Sequence, residues 1–126
     1  MMDDASLQRG MEMFQQMTGG RAEELLERWD ALHPDLAAMI IGFAGGHVWS
    51  RPGLDLRTRS LVTIAATAAL GRTSALELNL RMALTNGATR EEIHETLIQI
   101  AVFAGFPAAW EGFAVASKVF AEQDAQ

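Results

Sequence analysis

The sequence predicts an all-α fold, a single compact domain of about six to seven helices spanning residues 1–126 that assembles into an oligomer. Three observations predict it. Apolar residues recur at three- and four-residue spacing in nearly every segment, and no stretch shows the period-two alternation of a half-buried strand. Glycine pairs, prolines and Ser/Thr-x-x-Glu patterns punctuate the chain at helix-length intervals. The 126 residues, 49% hydrophobic and 21% charged, are enough to enclose one core, and no repeat or linker divides them.

The first helix is expected over 5–17, with Leu7, Met11, Phe14 and Met17 at helical spacing and Gly19-Gly20 to end it. A short amphipathic helix follows, Leu25, Leu26 and Trp29 on one face and Glu23, Glu24, Glu27 and Arg28 on the other. His33-Pro34 breaks the chain and Pro34 suits the first turn of a third helix, roughly Pro34–Ala44. Gly45-Gly46 is expected to stop that helix and open a connection, His47–Leu54, containing the turn signal Arg51-Pro52-Gly53. Asp55 caps a fourth helix, Leu56–Leu70, whose stretch 61–70 has only threonines as polar residues. The fifth opens on a capping box, Ser74-x-x-Glu77, and stops at Asn86-Gly87. The sixth opens on Thr89-x-x-Glu92 and runs to about Ala104, and after Gly105 a seventh extends from Pro107 to about Glu122. Two helices apolar on most faces exceed what so small a core can hide, so a homo-oligomer is expected to bury the surplus.

Composition closes several classes of chemistry. With no cysteine the chain has no disulfide framework, thiolate metal site or catalytic thiol. A net charge of −6 opposes binding to phosphate backbones, so nucleic acid is not an expected partner. Met1-Met2-Asp3-Asp4 lacks the basic-then-apolar pattern of a secretory signal, and the apolar stretches at 61–70 and 98–106 fall short of the roughly 20 residues that span a bilayer. No membrane association and a cytoplasmic location are therefore expected. His33, His47 and His94 lack the spacing that sets two imidazoles on one helical face, so no metal site is expected.

The charge is uneven. Arg51, Arg57, Arg59, Arg72 and Arg81 stand in residues 51–81 beside only Asp55 and Glu77, while the rest of the chain is acidic. This basic window reads either as a pocket for a small anion or as arginines paired with the acidic helices. His94, among Glu91, Glu92 and Glu95, reads as a solvated side chain, and His33 as a cap or surface residue. His47 follows two glycines and precedes Val48-Trp49, where it is either structural or a proton-transfer group. Ser60 and Asn79, polar residues in apolar helices, read either as helix-to-helix hydrogen bonds or as groups orienting a substrate oxygen, with Arg57, Arg59 or Arg81 supplying charge. Trp49 and Trp110 are candidate walls of such a pocket or core residues.

The run Trp49-Ser50-Arg51-Pro52-Gly53-Leu54-Asp55-Leu56-Arg57-Thr58-Arg59, continued by Leu61-Val62-Thr63-Ile64-Ala65, closely resembles the carboxymuconolactone decarboxylase family. So do Asn86-Gly87-Ala88-Thr89-Arg90-Glu91-Glu92-Ile93 and Ala104-Gly105-Phe106-Pro107-Ala108-Ala109, and the likeness covers about Arg9 to Phe120. The resemblance implies a helical subunit in a homotrimer or homohexamer, acting on a lactone acid without metal or organic cofactor. It also marks departures. Ser60 stands where a glutamate is usual, Asn79 where a histidine is usual and Phe103 where a tyrosine is common, while His47 takes a position that is usually acidic. The peroxidase-like branch of the superfamily relies on a Cys-x-x-Cys pair that this chain lacks.

The expected function is a divergent, cofactor-independent enzyme acting on a small carbonyl or lactone carboxylate through enolate and proton-transfer chemistry. In it His47, Arg81 and Arg57 are catalytic, and Ser60, Asn79, Trp49 and Phe103 bind substrate. The alternatives are a non-decarboxylating isomerase or cyclase of a biosynthetic pathway, or a non-catalytic oligomeric binding protein.

Overall fold

A computed structural model describes residues 3–126, and Met1 and Met2 of the acidic N-terminal stretch lie outside the described residues. Every regular element in it is helical. The chain groups into two compact units, residues 1–54 and 55–126.

In the first unit α1 (Asp4–Met17) begins at Asp3, whose carboxylate accepts the Ser6 N–H at 2.7 Å and satisfies a donor that the helix start leaves open. Its buried face is Ser6, Gly10, Phe14 and Met17, and Gly19 and Gly20, at φ +64° and +95°, turn the chain away from the helix end. The second helix, α2 (Ala22–Leu32), buries Ala22 and Leu25 and sets the Trp29 ring edge-on to Phe14 at 5.5 Å. His33 caps α3 (Pro34–Met39) through its ring Nδ1, which accepts the Asp35 N–H at 3.0 Å.

Here the structure corrects the sequence reading. Gly45-Gly46 does not stop the third helix: the chain widens into a π-helix, Ile40–Trp49, so His47 lies in the last turn of a helix rather than on a loop. The reason is packing. Gly42, Gly45 and Gly46 are buried, and α1 lies against this stretch so closely that a Cβ on Gly46 would sit 2.4 Å from the Ser6 carbonyl oxygen. The glycines serve the approach of two backbones rather than a turn.

The second unit contains α4 (Leu56–Ala69), α5 (Thr73–Thr85), α6 (Arg90–Ala104) and α7 (Phe106–Asp124). They enclose a core of Ile64, Ala68, Leu76, Leu80, Ile93, Leu97, Val119 and Phe120 with the small residues Ala83, Ala88 and Ala116. Asp55 caps α4 by accepting the Thr58 N–H at 2.7 Å, and Thr89 and Glu92 form the expected capping box of α6. The box expected at Ser74-x-x-Glu77 is absent. Helix α5 starts one residue earlier, at Thr73, and the Glu77 carboxylate goes instead to Lys118 Nζ at 2.5 Å and to Arg81 at 3.2 Å, two cations that outweigh a backbone amide. His94 is likewise no solvated residue: its ring stacks on Phe113 at 5.0 Å and meets Phe120 edge-on at 5.5 Å. The surplus apolar surface is visible at the α6–α7 corner, where Val102, Phe103, Phe106 and Trp110 are all exposed. No described helix is long and apolar enough to cross a membrane.

Four carboxylates sit below their ordinary range: Asp3 through hydrogen bonds from Ser6, Asp55 through the Thr58 N–H, Glu77 through Lys118 and Asp124 through Arg90. Each binds a proton less readily in the folded chain than in the unfolded one. Their stabilisation is therefore complete above the ordinary carboxylate range and is lost as pH falls through the lowered values. Circular dichroism melts are expected to give a nearly constant Tm between about pH 7 and 5 and a falling one below about pH 4. A Tm that rises on acidification below that point would contradict this.

Candidate functional site

The chemistry-bearing residues of the first unit gather where α1 meets the π-helix. His47 Nε2 lies 2.6 Å from the Ser6 hydroxyl, which Arg9 Nη2 also approaches at 3.3 Å. Arg9 Nε donates to the Gly46 carbonyl at 3.3 Å, and the Ser50 hydroxyl donates to the same oxygen at 2.6 Å. Ser6 is buried, at 1% exposure, whereas His47 is exposed and its ring lies over Phe43, with centroids 6.2 Å apart. A buried hydroxyl thus anchors one edge of an imidazole whose remainder faces outward. That arrangement suits proton transfer, because the ring keeps one orientation while a nitrogen stays accessible. Trp49, two residues on, is half-buried at the end of the same π-helix.

The remaining candidates belong to the second unit, and each has a protein partner or an exposed position. Arg57 pairs with Glu92 at 2.6 Å, and Arg81 with Glu122 at 2.9 Å and Glu77 at 3.2 Å. Ser60 is buried, and its hydroxyl accepts from Asn86 Nδ2 at 2.9 Å, tying α4 to the end of α5. Asn79 donates back along its own helix to the Ala75 carbonyl at 2.8 Å. Phe103 is 87% exposed and Trp110 63% exposed, so within this unit neither is a core residue. A shallow open groove of the same unit is lined by Thr73, Ser74, Glu77, Val115 and Lys118, none of them a candidate from the sequence. Among the described residues no group of three or more His, Asp or Glu side chains is placed to hold a metal ion.

Sequence reasoning missed Ser6 and Arg9. Ser6 and His47 are 41 positions apart, and no spacing rule links them. The signal available was the set of small residues, Gly10 on one side and Gly45-Gly46 on the other, that permits backbones to approach.

Comparison with known proteins supports the resemblance seen in the motifs. The model of the carboxymuconolactone decarboxylase family matches residues 34–118. A 4-carboxymuconolactone decarboxylase of Acinetobacter baylyi is 38% identical over 121 residues, covering 95% of this chain and 90% of that protein. A 15.0 kDa protein of Paracoccus denitrificans is 34% identical over 120 residues, 94% of this chain and 90% of its own length. A nitrosuccinic acid decarboxylase of Metarhizium robertsii is 42% identical over 82 residues, 64% of this chain and 56% of that protein. With a family match across most of its length and two relatives above 30% identity that it covers almost completely, the chain belongs to the carboxymuconolactone decarboxylase family.

Proposed function

We propose that this protein is a carboxy-lyase whose substrate is a small acid with a carbonyl, lactone or comparable electron-withdrawing group near the carboxylate that leaves. The observation that carries the reading is the exposed His47 ring anchored by the buried Ser6 hydroxyl, in a chain whose relatives include two named decarboxylases. In the reaction the bond to the carboxyl carbon breaks, its electron pair moves into the electron-withdrawing group to form an enolate or its equivalent, and carbon dioxide leaves. The protonated His47 ring then gives its proton to the carbanionic carbon and regains one from water. Arg57 and Arg81 are the cations proposed to recognise carboxylate or enolate oxygens, each exchanging a protein carboxylate for the substrate's. Ser60 and Asn79 are proposed to orient substrate oxygens, and Trp49 and Phe103 to exclude water. Metal and organic cofactor play no part in this scheme, and the chain acts in the cytoplasm as a homotrimer or homohexamer that covers the apolar α6–α7 corner. The family match runs through both compact units, which favours reading residues 1–126 as one functional domain.

A second reading has its own support. Arg57 and Arg81, two cations of the basic window, are occupied by Glu92, Glu77 and Glu122, as a binding protein that had kept its assembly and lost its chemistry would require. A repurposed isomerase or cyclase would keep the His47 proton transfer without loss of carbon dioxide. One assay separates the three: purified protein is incubated with 4-carboxymuconolactone and with nitrosuccinic acid, while carbon dioxide release and solvent deuterium uptake are followed. Carbon dioxide release from either acid is the expected result. Deuterium exchange without it favours the isomerase or cyclase, and binding with neither favours the non-catalytic protein.

A further inference from the structure

The cations named so far as carboxylate binders, Arg57 and Arg81, belong to the second unit and are held by carboxylates, Glu92 at 2.6 Å and Glu122 at 2.9 Å. Arg9 stands differently. It shares the first unit with His47, and the two bonds that fix its guanidinium end on neutral oxygens, Nε on the Gly46 carbonyl and Nη2 on the Ser6 hydroxyl, both at 3.3 Å. Neither acceptor cancels the positive charge. The carboxylate of the same helix start, Asp3, is engaged by the Ser6 N–H at 2.7 Å as the cap of α1. A guanidinium is a planar fork of five N–H donors, and bonds from Nε and Nη2 use its side edge. Its outer edge, Nη1 with the second hydrogen of Nη2, has the spacing that takes both oxygens of a carboxylate, and Arg9 is an exposed residue.

We propose that Arg9 is a substrate-binding residue, which holds a carboxylate that the acid keeps and sets the rest of that acid against the His47 ring. Arg9 Nη2 and His47 Nε2 lie within hydrogen-bonding distance of the same Ser6 oxygen, so one small molecule reaches both side chains. Two anchors hold the fork before any ligand arrives, and the Gly46 carbonyl that it uses also accepts from the Ser50 hydroxyl at 2.6 Å. Little side-chain freedom is then left to lose on binding. Phe43, 57% exposed with its ring over His47, offers apolar surface to the carbon skeleton. The carboxylate that leaves is a poor fit to Arg9, because carbon dioxide is neutral and an ion pair to the departing group stabilises the ground state over the transition state. A carboxylate retained throughout keeps both its charge and its partner. The selectivity that follows, for acids that still carry an anionic group after decarboxylation, rests on the carboxy-lyase reading above, but the anion site itself does not.

The test is a titration of 15N-labelled protein with succinate, a small acid that has no group to take up the electron pair and so binds without reacting. The Arg9 Nε–H resonance, assigned by its loss in Arg9→Lys, is expected to shift and saturate with succinate and to stay in place with succinamide, the uncharged diamide. No shift at Arg9, or an equal one with succinamide, overturns the proposal. Arg9→Gln removes the charge and Arg9→Lys keeps it without the fork, and both are expected to retain the helical circular dichroism of wild type. By calorimetry the succinate Kd is expected to rise about tenfold or more in Arg9→Gln and by less in Arg9→Lys. Arg21→Gln removes a surface arginine of the same unit that pairs with Glu24, and its affinity is expected to match wild type. An equal loss in that control reduces the effect to net charge and overturns the site. Should Arg9→Gln not fold, the wild-type titration carries the test. In turnover assays Arg9→Gln is expected to raise KM about tenfold with a smaller change in kcat. If succinate binds at Arg9 and no acid is decarboxylated, the anion site stands and the carboxy-lyase reading fails. If carbon dioxide is released and Arg9→Gln keeps the wild-type KM and succinate affinity, that reading stands and Arg9 is removed from the site.

Discussion

Replacing His47 by alanine is expected to lower turnover by about a hundredfold or more while leaving the protein folded, because a positioned general acid or base contributes roughly two to four orders of magnitude. The side chain is exposed, so its loss opens no cavity in the core. Its removal costs the hydrogen bond to Ser6, about 1 kcal/mol net, and the contact with Phe43. The serine keeps Arg9 beside its oxygen. A loss of activity far larger than the loss of stability is therefore the signature of chemistry. His47→Gln sharpens the comparison, since a side-chain amide, with both a donor and an acceptor, can hydrogen-bond to the Ser6 hydroxyl in either sense but cannot shuttle a proton near neutral pH. It is expected to melt close to wild type and to be as inactive as the alanine variant. Free imidazole supplied to His47→Ala is expected to restore part of the rate, because the site is open to solvent. Wild-type turnover in either variant, measured by carbon dioxide release, would remove His47 from the mechanism.

The sequence made most of the helices legible and little of the site. Caps were readable because they are local: Asp55 and the Thr89–Glu92 box are fixed by residues three positions apart, and both form as their spacing predicts. The same rule failed at Ser74-x-x-Glu77, because Lys118, far along the chain in α7, competes for the glutamate. Gly45-Gly46 misled for a related reason. A glycine pair is a turn signal when only its conformational freedom is considered, but here the absence of a side chain is what matters, and the element that needs the space is α1. His47 was identified from its neighbours in sequence, whereas Ser6 and Arg9 could be found only once two helices were seen in contact. The arginines were legible as a basic window, yet pairing Arg57 with Glu92 and Arg81 with Glu122 requires knowing which helices share a face.

Gly10→Ala is expected to be the most destabilising single-methyl change in the first unit. A Cβ at that position would lie 1.7 Å from the Ile41 carbonyl oxygen and 2.6 Å from its carbon, both main-chain atoms of the π-helix that no rotamer change can move aside. Relief requires separating the two segments, which also loosens the buried surfaces of Phe14 and Ile41 and draws Ser6 away from His47. Overpacking of this kind costs about 3 kcal/mol or more, since backbone rather than a flexible side chain must yield. For a chain of this size that is a fall in Tm of roughly 10 °C. Gly53→Ala is the control: its added Cβ would meet nothing within 4 Å, and the position does not require a left-handed backbone, so its melt should match wild type. Because Gly10 has no polar side chain, any loss of turnover in Gly10→Ala at a temperature where it is still folded must come through displacement of α1. A Gly10→Ala protein that melts within about 2 °C of wild type would show that α1 and the π-helix are not held at this distance in solution.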